Sequence, residues 1–80
     1  MKKIGKVTHY FDKIGVAVLS LTGPLSVGDM VKFSGHGVEF TQTVTSLQLD
    51  HKPIEKAKKG DDVALKVDQE VKGGMEVLKV

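Results

Sequence analysis

The 80-residue sequence predicts an all-β protein, a small antiparallel β-barrel of Greek-key type with about six strands. Short stretches rich in β-branched and aromatic residues recur along the chain, and glycine-containing turn signals separate them at fairly regular spacing. Helical periodicity is nearly absent. Short strands joined by glycine turns are typical of small sandwiches and barrels, and closure into a barrel also protects strand edges. The length corresponds to one domain spanning residues 1–80.

The strands are predicted from the apolar and β-branched runs between these turns. Gly5 lies inside the first strand and predicts a bulge or a close backbone approach. The second strand is almost continuously apolar, which indicates a central position in the sheet. The expected strands are 4–11, 16–21, 29–34, 39–49, 62–67 and 75–80.

Strand 39–49 alternates along its whole length, but neither face is cleanly apolar. A bend near Thr45 or Ser46 would bring the apolar residues to the inside together. The preceding Gly35-His36-Gly37 segment predicts a tight hairpin with positive φ at a glycine. Residues 50–59 form the longest segment without a strand pattern, and one turn of helix from Pro53 is compatible with it.

The composition excludes several classes of function. All twelve basic residues are lysine, and the chain contains neither arginine nor cysteine. Without arginine there is no bidentate fork for reading guanine, so sequence-specific recognition of nucleic acid is not expected. Without cysteine there is no disulfide framework or thiolate metal site. No apolar run approaches the roughly 20 residues of a membrane span, and we expect a cytoplasmic protein without a membrane partner.

Several motifs along the chain carry a family resemblance. A glycine-led strand at 15–18 is followed by a G-x-[LI]-x-V-G-[DE]-x-[VI] pattern at 23–31. Residues 44–48 fit V-x-S-[LIM]-x, residues 57–63 fit A-x-x-G-D-x-[VA], and residues 72–78 form a closing lysine, glycine, valine and leucine segment. In this order the motifs resemble the second domain of elongation factor Tu-type translational GTPases. The chain also resembles the C-terminal barrel of U32-family peptidases.

The resemblance implies a translation-protein type of barrel and an interaction module. The chain has no G-x-x-x-x-G-K-[ST] loop, so we expect no bound nucleotide. In family members that bind aminoacyl-tRNA, the barrel helps to hold the aminoacylated 3′ end. The acidic residue of that site falls at Gln48 here, and its arginine falls at His51, so both are changed.

The candidate RNA-binding residues combine this resemblance with the most basic segment of the chain. Lysines attract phosphates, although runs of lysine are more often simply solvated. His51 could stack on a base, or be an exposed loop histidine without a role. The candidates are Lys13, Gln48, His51, Lys52, Lys56, Lys58 and Lys59. In addition, Tyr10 or Phe11 must face outward if the first strand alternates.

The sequence offers no arrangement that predicts catalysis. The serines lack a G-x-S-x-G context, and Asp61-Asp62 is better explained as turn chemistry. His9, His36 and His51 are scattered without metal-ligand spacing, so neither a metal nor a cofactor is expected. The leading hypothesis is a non-catalytic barrel that binds RNA or a ribonucleoprotein, such as tRNA or the ribosome. The rival is a protein-interaction module that docks on a larger enzyme or self-associates, and a barrel without a ligand in isolation stays open.

Overall fold

The computed structural model describes residues 2–50 and 52–80, and within those ranges it contains only strands and loops. The ten strands are β1 (Lys2–Phe11), β2 (Val16–Leu21), β3 (Leu25–Ser26), β4 (Met30–Gly35), β5 (Val38–Thr43), β6 (Leu47–Leu49), β7 (Lys52–Ile54), β8 (Lys56–Ala57), β9 (Asp62–Lys66) and β10 (Glu76–Lys79). The described part of the chain has no helix long and apolar enough to cross a membrane.

All pairings are antiparallel, and the main sheet has the order β5-β4-β10-β1-β2-β9-β6-β7. A separate two-stranded sheet joins β3 to β8. The strands β5 and β6 are successive parts of one bent strand, which pairs with β4 along its first half and with β9 along its second. Because this bent strand pairs with β4 at one end and with β9 at the other, it closes the sheet on itself. The barrel wall therefore consists of six strands, which are β1, β2, β4, the bent strand β5–β6, β9 and β10. The all-β, Greek-key barrel prediction is therefore confirmed.

The bend in this long strand lies at residues 44–46, where the chain leaves the strand conformation. Val44 and Leu47 are both buried, although residues three positions apart in a regular strand point to opposite faces. Thr45 and Ser46 are exposed between them. The bend thus shifts the inward face by one residue, and the prediction of an irregularity at this position is confirmed.

Strand β1 contains two register irregularities, one between Lys3 and Gly5 and one between Val7 and His9. A Cβ at Gly5 would lie 3.0 Å from the carbonyl oxygen of Ser20, so a larger residue would require the neighbouring backbone to shift, and glycine suits this close approach. The irregularities allow residues three apart to share the inside of the barrel. They explain the imperfect alternation of the first strand, and the prediction for Gly5 is confirmed.

The barrel is completed by a side chain between β5 and β9, two strands that do not pair directly with each other among the described residues. Gln42 is buried, with 5% of its surface exposed. Its Nε2 donates to the carbonyl oxygen of Lys66 at 2.9 Å, and its Oε1 accepts from the backbone N–H of Asp68 at 2.8 Å. Because both ends of the amide are satisfied, this polar side chain can be accommodated in the core wall.

The expected turn of helix at Pro53 was wrong. Residues 52–54 form β7, which pairs with β6, and residues 56–57 form β8, which pairs with β3. A proline tolerates an edge strand because its missing N–H can face away from the partner. Ala57 is buried, and Ile54 is half-buried against the core.

The core lies inside the cylinder and includes a stacked pair of rings, Phe33 and Phe40, with centroids 5.1 Å apart. The β4–β5 hairpin has the predicted tight turn, in which His36 and Gly37 have φ values of 53° and 76°. These values match a type I′ turn, which suits the twist of a hairpin. The hairpin tip is held by a hydrogen bond between His36 Nε2 and the carbonyl oxygen of Gly73 at 3.1 Å.

Candidate nucleic-acid interface

The outer surfaces of β1, β2, β9 and β6 form one continuous face, which we call the four-strand face. The strand registers place cross-strand partners side by side, and partners in a sheet point to the same side. One row across the face is His9, Val18, Ala64 and Gln48. A second row is Phe11, Val16 and Lys66. At about 4.8 Å between strands, the first row is roughly 14 Å wide.

One side of the four-strand face is aromatic. Phe11 is 51% exposed, and its ring stacks with that of His9 at a centroid distance of 6.3 Å and an angle of 28°. The two residues lie two positions apart on β1 and therefore point to the same side. Tyr10 points inward and packs against the core. The expectation that one of the two adjacent aromatic residues faces outward is thus confirmed for Phe11.

Two shallow depressions lie next to each other on the four-strand face, and together we call them the groove. Both are lined by Gln48 and Ala64. The first, of about 150 Å³, also involves Val16, Ser46 and Lys66. The second, of about 200 Å³, has Val18 and Val63 beside the carboxylates of Asp50 and Asp62. The groove therefore has an apolar floor, a central amide, a lysine at one end and acidic groups at the other.

The lysines selected from the sequence do not form one cluster. Lys58 and Lys59 lie in the turn before β9, where Gly60 N–H donates to the carbonyl oxygen of Leu21 at the end of β2. Lys13 lies in the turn before β2, beside the opposite end of β9, where Val67 N–H donates to Gly15. The length of β2 separates these ends by about 20 Å. The structure thus places the candidate lysines at both ends of the four-strand face.

The other candidates lie near the acidic end or just beyond the face. Gln48 is exposed at the centre of the groove, and Lys52 is on the neighbouring strand β7, next to the cross-strand partner of Gln48. Lys56 is exposed on β8, paired with Ser26. His51 lies outside the described residues.

The ion pairs of the described residues involve other lysines. Lys3 pairs with Glu76 at 3.5 Å, Lys79 with Asp29 at 3.3 Å, and Lys32 with Glu39. Within residues 2–50 and 52–80, none of the candidate lysines takes part in an ion pair. Their exposed charges are therefore available to a ligand.

The basic character of residues 50–62 is balanced by acidic residues. The segment holds four lysines and four acidic residues, so its formal net charge is zero with histidine neutral. Attraction over distances beyond the Debye length of about 8–10 Å is consequently weak here. Any contact with phosphates has to come from individual lysines at short range.

Sequence reasoning missed Lys66, His9 and the apolar floor of the groove. These residues come from strands far apart in the chain, and only the cross-strand registers bring them together. The two described histidines are separate: His9 is on the four-strand face, and His36 is at the β4–β5 hairpin. No group of three or more His, Cys, Asp or Glu side chains suited to a metal ion occurs among the residues that the structure describes.

Comparison with known proteins gives one clear sequence relative. No family model matches the chain. The chain is 34% identical over 73 residues to a protein of Methanocaldococcus jannaschii described as an uncharacterized protease. The match covers 90% of this chain but only 18% of that protein, so the chain spans less than a fifth of its relative.

Solved structures show the same fold. The C-terminal domain of a Geobacillus thermoleovorans protein described as a U32 peptidase superposes with a TM-score of 0.94 at 22% identity, covering 99% of this chain and 100% of that domain. A second structure of that domain gives 0.93 and covers 92% of it. A bacterial selenocysteine-specific elongation factor gives 0.76 at 24% identity, covering 96% of this chain and 14% of that protein. Both resemblances drawn from the sequence motifs are confirmed, and the chain has the fold of these two domains.

Proposed function

We propose that this barrel is a non-catalytic binding module that holds single-stranded RNA or a ribonucleoprotein on its four-strand face. The observation that carries the proposal is the exposed Phe11–His9 stack beside the apolar groove, with lysines at both ends that form no ion pair among the described residues. Nucleobases stack on exposed aromatic rings, and each stacked base contributes about 1–3 kcal/mol. Lysines at the ends provide point charges for phosphates.

Under this proposal, the aromatic, basic and amide side chains of the four-strand face each contact a different part of the RNA. A base stacked on Phe11 would cover Val16, its cross-strand neighbour, with the ammonium group of Lys66 in the same row. The amide of Gln48 has both donor and acceptor groups for a ribose or a base edge. Because the chain lacks arginine, we expect binding with little sequence preference.

The proposal is tested by fluorescence anisotropy with labelled single-stranded RNA, and with tRNA and ribosomal RNA as longer ligands. The four lysines of residues 50–62 neutralise at most four phosphates on a single strand, so the log–log slope with salt should be no steeper than about −3 from that segment. Phe11→Ala should weaken binding by roughly 5–150-fold, the equivalent of one lost stacking contact.

A matched pair of charge changes separates local contact from general attraction. Lys59→Glu and Lys79→Glu alter the net charge equally, but Lys79 lies on β10, where it pairs with Lys2 at the start of β1 and with Val31 of β4, outside the rows of the four-strand face. Lys59→Glu should weaken RNA binding more than Lys79→Glu. Absence of RNA binding at about 50 mM salt, where phosphate contacts are strong, would rule out the proposal.

The comparisons favour a second candidate function, docking on a catalytic protein. The chain matches the full length of a U32 peptidase C-terminal domain and only 18% of its sequence relative. A barrel of this type would then serve as a docking module for the remainder of such an enzyme. Calorimetric titration against a U32 peptidase lacking its own C-terminal domain tests this candidate. Binding that survives nuclease treatment, together with failure to bind RNA, would favour docking over RNA binding.

A further inference from the structure

The part of the barrel wall outside the four-strand face is formed by β10, β4 and β5. Their outer surface, which we call the three-strand face, is crossed by three rows of cross-strand partners, and such partners point to the same side. The rows, from one end of the barrel to the other, are Glu76, Ser34 and Glu39, then Leu78, Lys32 and Thr41, then Val80, Met30 and Thr43.

The last of these rows lies at an exposed apolar corner of the barrel. Met30 is 43% exposed and Val80 is 61% exposed. The N–H of Val80 donates to the carbonyl oxygen of Met30 at 3.1 Å, so their side chains are neighbours. Val27, in the tight turn that immediately precedes Met30, is also exposed. These three residues, the apolar corner, are half of the large hydrophobic side chains that are exposed in the described part of the chain.

Lysines border the apolar corner. Lys32 is two residues from Met30 on β4, which corresponds to about 7 Å along the strand. Lys79 on β10 forms an ion pair of 3.3 Å with Asp29, the residue before Met30. The start of β1 adds Lys2, the register partner of Lys79. Positive charge therefore exceeds negative charge around the corner.

The three-strand face and its border, together with the start of β1, carry the formal net charge of the protein. They hold five lysines and three acidic residues, and the formal charge of the whole chain is +2, so the other seven lysines are cancelled by seven acidic residues. Two of the three acidic residues, Glu39 and Glu76, lie in the row farthest from the apolar corner. On the far side of Val27, the charges of Glu55 and Lys56 cancel each other. The five lysines are Lys2, Lys3, Lys6, Lys32 and Lys79.

The ion pairs of this face leave its lysines accessible. Lys3 pairs with Glu76 at 3.5 Å and Lys79 pairs with Asp29 at 3.3 Å, and all four side chains are partly exposed. Exposed pairs of this kind contribute little to stability and are screened by salt. A carboxylate of a partner can therefore take the place of the one in the chain.

The apolar corner distinguishes between kinds of partner. A second copy of the chain would oppose like charges, which disfavours the contact. RNA would find partners for its phosphates but no exposed ring for its bases, because Phe33 and Phe40 of this wall are buried. A protein segment with carboxylates around an apolar side chain complements both the lysines and the apolar corner.

We propose that the apolar corner docks a protein segment in which an apolar side chain is flanked by carboxylates. The apolar side chain covers Met30 and Val80, and the flexible thioether of methionine adapts to its shape. The carboxylates pair with Lys32 and Lys79. This proposal deepens the docking candidate and rests on its premise that the barrel binds a protein. It is separate from RNA binding, since the apolar corner lies outside the four-strand face.

Titration with a model peptide, followed by amide NMR signals, tests the proposal. The probe is an amphipathic helical peptide with a stripe of leucines flanked by glutamates, and its control has lysines in place of the glutamates. The glutamate peptide should shift the amides of Met30, Lys32 and Val80 with a Kd on the order of 0.1–1 mM, and the affinity should fall as salt is raised. The lysine peptide should leave those signals unchanged.

Three results of this titration would overturn the proposal. The first is equal affinity for the two peptides, and the second is a set of shifts confined to the four-strand face. The third is a response of the amides at the apolar corner to single-stranded RNA or to vesicles of anionic phospholipid, but not to the glutamate peptide.

Two variants complete the test. Met30→Gln removes the apolar anchor without changing the charge and should weaken binding of the glutamate peptide by roughly 5–10-fold. Ile14→Gln is the matched control and should bind like the wild type, because Ile14 is exposed just beyond the far end of β1, whereas Val80 follows the partner of Lys2.

The same variants in the titration against the truncated U32 peptidase separate this proposal from the candidate that it deepens. Met30→Gln should weaken that docking, whereas Ile14→Gln should not. Docking that Met30→Gln leaves unchanged would overturn the proposal and keep the docking candidate in place. Failure of the wild type to bind either the glutamate peptide or the peptidase would remove both.

Discussion

Replacement of Gln42 by leucine is expected to open the barrel where β5 meets the end of β9. The substitution removes two hydrogen bonds, of 2.9 and 2.8 Å, each contributing about 1 kcal/mol net. It also leaves the carbonyl group of Lys66 and the N–H of Asp68 without this partner, and burial of the leucine side chain offsets part of that cost. We expect a loss of about 2–3 kcal/mol in the free energy of unfolding.

For a domain of this size, that loss lowers the melting temperature by roughly 10–20 °C, measurable by circular dichroism. Gln48→Leu is the matched control, because Gln48 lies on the same bent strand but is exposed and should tolerate the change within about 0.5 kcal/mol. Faster hydrogen exchange at the Asp68 amide would locate the effect. Equal melting temperatures for the two variants would refute the assignment of Gln42 as the residue that closes the barrel.

Three further predictions concern stability and are measured by urea unfolding. Gly35→Ala should lower the free energy of unfolding by about 2–3 kcal/mol, and Gly37→Ala should lower it by about 1 kcal/mol. Both glycines have positive φ, but only at Gly35 would a Cβ also crowd a neighbouring backbone, with 3.1 Å to the Cα of Met75. Equal losses for the two variants would contradict this reasoning. Phe33→Ala should cost about 3–5 kcal/mol, most of the stability of a small domain, whereas the exposed Phe11→Ala should cost under about 0.5. Asp29→Ala should lower the free energy of unfolding by about 1–2 kcal/mol, because it removes the acceptor of the hydrogen bond from the Ser26 N–H at 2.9 Å. The loss should persist at high salt, since the partly exposed ion pair between Asp29 and Lys79 contributes little.

The local features of the fold could be predicted from the sequence because they depend on local chemistry. Glycines at turns, the tight hairpin at residues 35–37 and the bend near Thr45 all follow from rules that act over a few residues. The buried Gln42 was also visible as a polar residue on the same face as Phe40 and Val44. Its role was not, because the groups it bonds to lie 24 and 26 residues further along the chain.

The candidate site could be predicted only in part, for the same reason. The selection of Gln48 as a candidate came from the family resemblance. The expectation that either Tyr10 or Phe11 faces outward came from strand alternation. The neighbourhood of Gln48 depends on registers between β1, β2, β9 and β6, which no local pattern reveals. The error at residues 52–59 has a related cause, since Pro53 fits both the first turn of a helix and an edge strand, and tertiary pairing decides between them.

If the four-strand face binds RNA as proposed, the distribution of charge limits how it can do so. Residues 50–62 carry no net charge, so long-range attraction cannot supply most of the affinity. Stacking on Phe11 is local and independent of salt screening, whereas Lys13 and Lys66 at one end and Lys58 at the other are about 20 Å apart. A ligand must therefore cross the whole face to use all of these contacts. Binding strength should accordingly depend on the length of the single strand more than on its sequence, as expected for a surface that stacks bases and lacks arginine.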